Sequence, residues 1–520
     1  MLTFLQSREI CPCCAYPMAA SKRRSQVFMC SPPSVNPDGG TDGPRGFPIL
    51  GGALRLDGAT IVDPRDGGLT RNVSILVQNG RIIALDAEGG ADPDPDVQVI
   101  DATGKFVVPG YNDMHSHVLE LEDPSGALAL MLAEGVTGFR QMSGSPRRLE
   151  ERRRGTLPVG KVAPAALELP GTILTPLNAD SPEAVAAEIK QQQDQGADFI
   201  KVGFLSPPVF IAALDVARRL GIPILGHLQD GVDAATASRA GFKSVEHLGP
   251  GATVWIACST AEAELKSEVK PVRIKAPPRF LPFLRRLIMW RLQTVLINPA
   301  AFATPDYAAG LQRALDTFSE AKCRDLAVRF VAEETWHCPT LVRLRTQQLA
   351  DLPQYDTDPY LRYMPRRKIS QWRAVTARFK KLPAAMRETY AKAYPLQIGL
   401  TRRLAEAGVR MITGTDGGWL SGPGLTLKAE FAELALAGFS PLKILQMTTI
   451  NVAEYLGRTD TMGAVEPGHE ADLVLLNSNP LESVANLHDI AGVVRGGFHY
   501  SRAELDALCE RVADGRGFLR

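Results

Sequence analysis

From Val136 to Thr413 the chain alternates short apolar runs with helix-forming stretches, and this alternation restricts the fold more than any other feature. Val136 to Met142, Phe199 to Phe204, Ile222 to Leu228, Ser244 to Leu248, Cys338 to Val342 and Val409 to Thr413 read as strands. Ser181-Pro182 opens a helix between two of them, with Ser as its cap and Pro at the first helical position. Val209 to Leu220 is a second helix, closed by Gly221, and Ala234 to Ala240 a third. Repeated strand–helix units predict an α/β fold with a parallel sheet, and their number suits a (β/α)8 TIM barrel.

Segments rich in strands flank this middle. Val73 to Val77, then Gln78-Asn79-Gly80, then Arg81 to Leu85 spell a hairpin, because Asn-Gly tolerates the positive φ of a type I′ turn. Val97 to Ile100, Ala471 to Leu476 and Gly492 to Arg495 add further strands. The expected layout is a disordered leader over 1–52, a small β-sandwich domain built from 53–108 and 456–520, and the barrel over 109–455. Two stretches, about 251–336 and 343–407, exceed ordinary barrel connections and look helical. After strands six and seven they would emerge on the face where barrel active sites lie, as a lid or substrate wall. The alternative is that they thicken the barrel or form an oligomer contact.

A formal net charge of +1 provides no overall field for nucleic acid or an anionic membrane surface. With 45% hydrophobic and 22% charged residues, the chain has the make-up of an ordinary soluble globular protein. No apolar run reaches the roughly 18 residues of a membrane span. The nearest, Phe280 to Ile297, is interrupted by Arg285, Arg286 and Arg291 and reads as an amphipathic helix. Scattered Cys258, Cys323, Cys338 and Cys509 suggest a reducing compartment, and no apolar signal segment lies near Met1, so a cytoplasmic location is expected. Cys11, Cys13, Cys14 and Cys30 lack the paired spacing of a zinc ribbon.

The chemistry concentrates where strands end. His115-Ser116-His117 follows the apolar run from Val107, and side chains two apart on a strand leave from one side, so two imidazoles can grip one cation. Lys201, inside Phe199 to Gly203, points into the barrel by the same period, which is costly for an ammonium unless it is paired or chemically altered. His227, His247 and Asp416 follow three further strands. In a parallel barrel all these ends share one rim, so groups far apart in sequence converge. Arg140 ends another strand and could hold a substrate carboxylate or a structural ion pair. His337 is the one further histidine near the rim and a second candidate for substrate contact, whereas His469, His488 and His499 read as surface residues.

These residues resemble the amidohydrolase superfamily of metal-dependent hydrolases on a (β/α)8 barrel. The carriers are Pro109-Gly110 to His117, Gly196 to Val202, Gly226-His227, Val245-Glu246-His247, Gly414-Thr415-Asp416 and Gly468 to Val474. The chain looks most like the imidazolonepropionase-related branch that includes Xaa-Pro dipeptidases, and Lys201 points to two-metal amidases within it. The resemblance implies that His115, His117 and Asp416 hold one divalent cation and His227 and His247 the other. Lys201, carboxylated by carbon dioxide, would bridge the two. It further implies zinc, a shared hydroxide attacking the amide carbonyl, and Asp416 as general base and then acid. The expected substrate is a small amide such as a dipeptide or N-acyl amino acid. A cyclic-amide hydrolase or deaminase on the same scaffold, and a metal-free binding barrel, are the alternatives. Gln141 and Lys428 depart from the family pattern, so no relative's substrate transfers directly.

Overall fold

Strands from both ends of the chain meet in one sheet in the computed structural model, which describes residues 53–87, 97–159, 162–248, 252–268, 291, 294–417, 422 and 424–515. The N-terminal strands are β1 (Leu54–Val62), β2 (Leu69–Gln78), β3 (Arg81–Ala87), β4 (Gln98–Asp101) and β5 (Phe106–Pro109). Asn79 and Gly80 turn the β2–β3 hairpin at φ 52° and 74°, pairing Gln78 with Arg81, as the Asn-Gly dipeptide predicts. After the parallel strands β6 (Tyr111–Ser116), β7 (Val136–Gln141), β8 (Ala165–Glu168), β9 (Ile200–Val202), β10 (Ile224–Gly226), β11 (Phe242–Glu246) and β12 (Trp336–Cys338), the chain returns to the first sheet. It does so as β13 (Leu473–Leu476), β14 (Ile490–Arg495) and β15 (Phe498–Ser501). β13 lies antiparallel to β5, with Val474 opposite Val108, and so joins the two ends of the chain in an eight-stranded sheet. Leu54, Leu56, Ile75, Val77, Val107 and Leu473 form its buried core.

The middle strands form two parallel ladders, β6-β7-β8 and β9-β10-β11-β12. Backbone bonds connect them. Leu174 donates to Lys201 O at 2.9 Å and accepts from Gly203 N at 2.9 Å, which joins the segment after β8 to β9. On the other side, Ile412 N donates to His337 O at 3.0 Å, and Met114 N to Thr413 O at 2.9 Å, so residues 411–417 lie between β12 and β6. Side chains alternate as period 2 requires. Ile200 and Val202 pack outward in the large helix-facing core, while Phe199, Leu225, Trp336 and Ile412 share an inner cluster.

Local signals place the helices. Ser181 Oγ accepts from Ala184 N at 3.2 Å at the start of Pro182–Asp194, and Gly221 closes Pro207–Leu220 at φ 67°. One expectation fails: Cys338 to Val342 is not a strand, since β12 stops at Cys338 and Leu341–Gln348 is helical. Thr340 sits at φ 45°, an outlier for a β-branched residue, and turns the chain there. The buried Glu430 carboxylate then accepts from Leu341 N and Val342 N at 3.0 and 2.8 Å, capping the new helix. The strand expected over Val409 to Thr413 reduces to a bridge at Met411. The long stretches after β11 and β12 are largely helical, through Thr253–Ala257, Glu262–Glu268, Pro305–Asp316, Glu320–Ala332, Arg366–Lys380 and Ala384–Glu406. His469 is buried rather than exposed, with Nδ1 3.1 Å from Ala464 O, and His488 packs on Phe431 and Tyr111. The expected leader, its four cysteines and most of Phe280 to Ile297 lie outside the described residues. Among the described residues no helix is long and apolar enough to cross a membrane, and Cys258, Cys323, Cys338 and Cys509 are free thiols.

Candidate functional site

β6 delivers His115 at its end and His117 just beyond it, with ring centroids 5.4 Å apart. β11 delivers His247, β10 His227, and the segment beside β6 delivers Asp416. The Asp416 carboxylate is the meeting point. Oδ1 lies 3.1 Å from His115 Nε2 and 3.3 Å from His117 Nε2, and Oδ2 lies 3.7 Å from His247 Nε2. His227 follows through ring contact with His247, at 5.2 Å between centroids. Lys201 completes the group from β9 and is fully buried. Gly226 makes room for it: a Cβ there would sit 2.4 Å from Val202 O and 3.0 Å from Lys201 Cδ.

Backbone strain gathers here. Four of the seven non-glycine residues with positive φ among the described residues are His247 (59°), Leu248 (54°), Thr340 (45°) and Asp416 (49°). Such conformations cost energy and persist where surrounding structure imposes them, commonly at functional sites. They also break strict alternation, which lets Glu246 and His247, adjacent in sequence, both face the cluster.

The charges follow from burial and proximity. Burial, then the positive charge of Lys201 and its neighbour His247, holds His227 well below the ordinary histidine range. Burial pushes His247 down to about 3, against the pull of Asp416. Burial would raise Asp416, but attraction to His247 and His115 and the imidazole hydrogen bonds outweigh it and hold it well below the carboxylate range. Neutral imidazoles and an ionised carboxylate are the protonation states a metal requires. His115, His247 and Asp416 each offer a ligand atom, and these lie within 4.8 Å of one another. Two buried atoms make the same point. Among the described residues, Lys201 Nζ and His227 Nδ1 have no hydrogen-bond partner. A buried amine and imidazole nitrogen left so are costly unless another group completes them, and the donor set fits a divalent cation.

Four contributors escaped the sequence reading. Glu246 Oε2 lies 2.6 Å from His115 Nδ1. Thr340 Oγ1 lies 2.5 Å from His247 Nδ1, and Ser143 Oγ 2.8 Å from His117 Nδ1. Arg343, third residue of the helix after β12, donates from Nε to Asp416 Oδ2 at 3.1 Å while its other nitrogens hold Leu296 O and Ile297 O. The Val245-Glu246-His247 motif drew attention to Glu246, but no local pattern marks Arg343.

Two expected substrate contacts are corrected. Arg140 is fully buried, and its guanidinium is committed to Met114 O at 2.6 Å, Tyr455 Oη at 2.6 Å and Glu246 Oε1 at 2.9 Å. It is the structural ion pair, not a carboxylate receptor. His337 sits mid-strand in β12, flanked by inward Trp336 and Cys338, so period 2 turns it outward onto Phe330, 4.6 Å between centroids. Burial holds its pKa down to about 3, with neither ring nitrogen hydrogen-bonded among the described residues. As pH falls below about 6.5 the unfolded chain takes up a proton that the folded imidazole refuses until about 3, so this residue removes stability on acidification. His337→Leu should therefore gain on the wild type by about 1.4 kcal/mol per pH unit in that window. Urea unfolding at a series of pH values measures the difference; a constant difference contradicts the assignment.

Residues 397–498 match the family described as amidohydrolase. The matched amidohydrolase segment contains Asp416 and the strands β13 and β14. A dihydroorotase of Desulforapulum autotrophicum is 28% identical over 230 residues, 40% of this chain and 52% of its own length. The chain thus spans about half the length of that curated relative. An imidazolonepropionase of Geobacillus kaustophilus is 38% identical over 77 residues, covering 15% of this chain and 18% of its own. Among solved structures, a bottromycin amidohydrolase is similar in fold at 22% identity, TM-score 0.64, covering 89% of this chain and 91% of its own. A Xaa-Pro dipeptidase is similar at 17% identity, TM-score 0.56, over 86% of this chain and 100% of its own.

Proposed function

We propose that this chain is a metal-dependent hydrolase that cleaves a C–N bond of a small amide, of the dipeptide or N-acyl amino acid kind. The observation that carries the reading is the Asp416 carboxylate, met by three imidazole nitrogens at 3.1 to 3.7 Å, together with a buried lysine amine that has no acceptor among the described residues. In this reading β6 to β12 and residues 411–417 form one (β/α)8 barrel, supported by the backbone bonds that lead from β12 through Met411 back to β6. Residues 53–108 and 456–520 form the accompanying β domain, supported by their shared sheet.

His115, His117 and Asp416 would hold one divalent cation and His227 and His247 a second, with Lys201 as a carbamate between them. The imidazole-rich set favours zinc. Bound there, the cations supply a water of lowered pKa and polarise the scissile carbonyl. Carboxylation turns Lys201 from a buried cation into an anion, which removes the cost of a lone ammonium and offsets the metal charge. Asp416 accepts the proton of the attacking water and passes it to the leaving nitrogen. Arg343 holds Oδ2 of Asp416 and so orients the carboxylate from the helix after β12.

The similarity to dihydroorotases favours a second reading, hydrolysis of a cyclic amide at the same centre. A panel of dipeptides, N-acyl amino acids and cyclic amides separates the two. Zinc-loaded protein should hydrolyse one of these classes and lose that activity on chelation. Zinc-loaded protein that cleaves none of them contradicts the hydrolase reading.

A further inference from the structure

The site is surrounded by groups that touch the imidazoles from behind, and they differ in kind. His117 and His247 each meet a hydroxyl, of Ser143 and Thr340. A hydroxyl both donates and accepts, so either ring tautomer suits it. Nδ1 of His115 instead meets a carboxylate, Glu246, at 2.6 Å. An ionised carboxylate only accepts, so Nδ1 of His115 carries a proton, which leaves Nε2 as the ring atom that can offer a lone pair to a cation. That Nε2 is the atom 3.1 Å from Asp416.

Glu246 is fully buried, and its surroundings keep it ionised. The Arg140 guanidinium at 2.9 Å and the His115 ring at 2.6 Å both favour its charged form. Oε1 accepts from Arg140 Nη2 at 2.9 Å and from Ser244 Oγ at 2.6 Å, leaving Oε2 to His115. Arg140 in turn grips Met114 O, the carbonyl next to His115, and Tyr455 Oη. One buried ion pair therefore spans β6, β7 and β11 and fixes both the backbone and the ring of a single histidine.

We propose that Glu246, clamped by Arg140, is a positioning residue that sets the tautomer, orientation and donor strength of His115 toward a cation. The inference rests on the metal site of the proposed function and assigns Arg140 the role left open once substrate contact is removed. Carboxylates behind metal-bound imidazoles commonly account for about 10–100-fold in metal affinity.

The test uses the full-length protein and zinc alone, titrated against a chromogenic chelator, with histidine nitrogen NMR on the metal-free form. In the wild type, Nδ1 of His115 should carry a proton. Glu246→Gln should bind one of its zinc ions about 10–100-fold more weakly, keep the other, and recover turnover at saturating zinc. Glu246→Asp, which restores the anion at a longer reach, should fall between the two. Should Glu246→Gln fail to fold, the double variant Glu246→Gln/Arg140→Met buries no lone charge and takes the same measurements. Wild-type zinc affinity in a folded Glu246→Gln variant, or an Nε2–H tautomer for wild-type His115, overturns the proposal. A wild type that binds no zinc sinks the metal reading itself and is recognised before any variant is made.

Discussion

Lys201→Ala is expected to purify folded, with most of its zinc gone and turnover reduced by about 10³-fold or more, on the scale of losing one member of a catalytic group that acts as a unit. Lys201 is fully buried on β9, and no group among the described residues accepts from its amine. As a plain ammonium it is a cost to the fold, and the positive charge it places near His227 and His247 repels a cation. The variant should therefore be at least as stable as the metal-free wild type in urea unfolding. As a carbamate the same side chain would supply the anion between two metals, and its loss should empty the site. Elemental analysis and a carbon-13 carbamate signal from labelled bicarbonate, present in wild type and absent in the variant, read the two halves of the claim. A variant that keeps full metal and full turnover rules out the bridging role.

Asp416→Asn is expected to keep the fold and lose about 10²–10⁴-fold in turnover, the contribution of a positioned proton carrier. The substitution preserves shape, but the amide cannot carry the proton between water and leaving nitrogen. It also offers one acceptor oxygen where the carboxylate offers two, to His115 and His117 on one side and Arg343 on the other. Steady-state kinetics at saturating zinc isolate the chemical effect from weaker metal binding. Unchanged turnover under those conditions contradicts the proton-carrier role of Asp416.

How much of this was readable in advance follows from the range of the interactions. The Asn79-Gly80 hairpin, the Ser181 cap and the Gly221 stop are local devices, each settled within a few residues, and all three are present. The histidines, Lys201 and Asp416 were legible because period 2 and the shared rim of parallel strands constrain where strand-end side chains go. What the sequence hid is long-range or strained. Arg140 meets Glu246 across 106 residues, Glu246 meets His115 across 131, and Arg343 meets Asp416 across 73. No local pattern specifies those pairs, so Arg140 looked like a free rim cation. The strand expected through Val342 failed because Thr340 adopts a left-handed conformation its side chain disfavours, held by Glu430 from a helix 88 residues on. His337 was misplaced by treating every histidine near a rim as facing inward, although alternation from Trp336 and Cys338 turns it out.

The central claim is that six side chains from five segments of the chain gather a pair of cations. Elemental analysis of the purified full-length chain after zinc loading and desalting tests it most directly. About two zinc ions per chain are predicted, falling to about one when His227 and His247 are replaced by alanine. A loaded chain that retains no stoichiometric metal, or whose metal content is indifferent to those replacements, contradicts it.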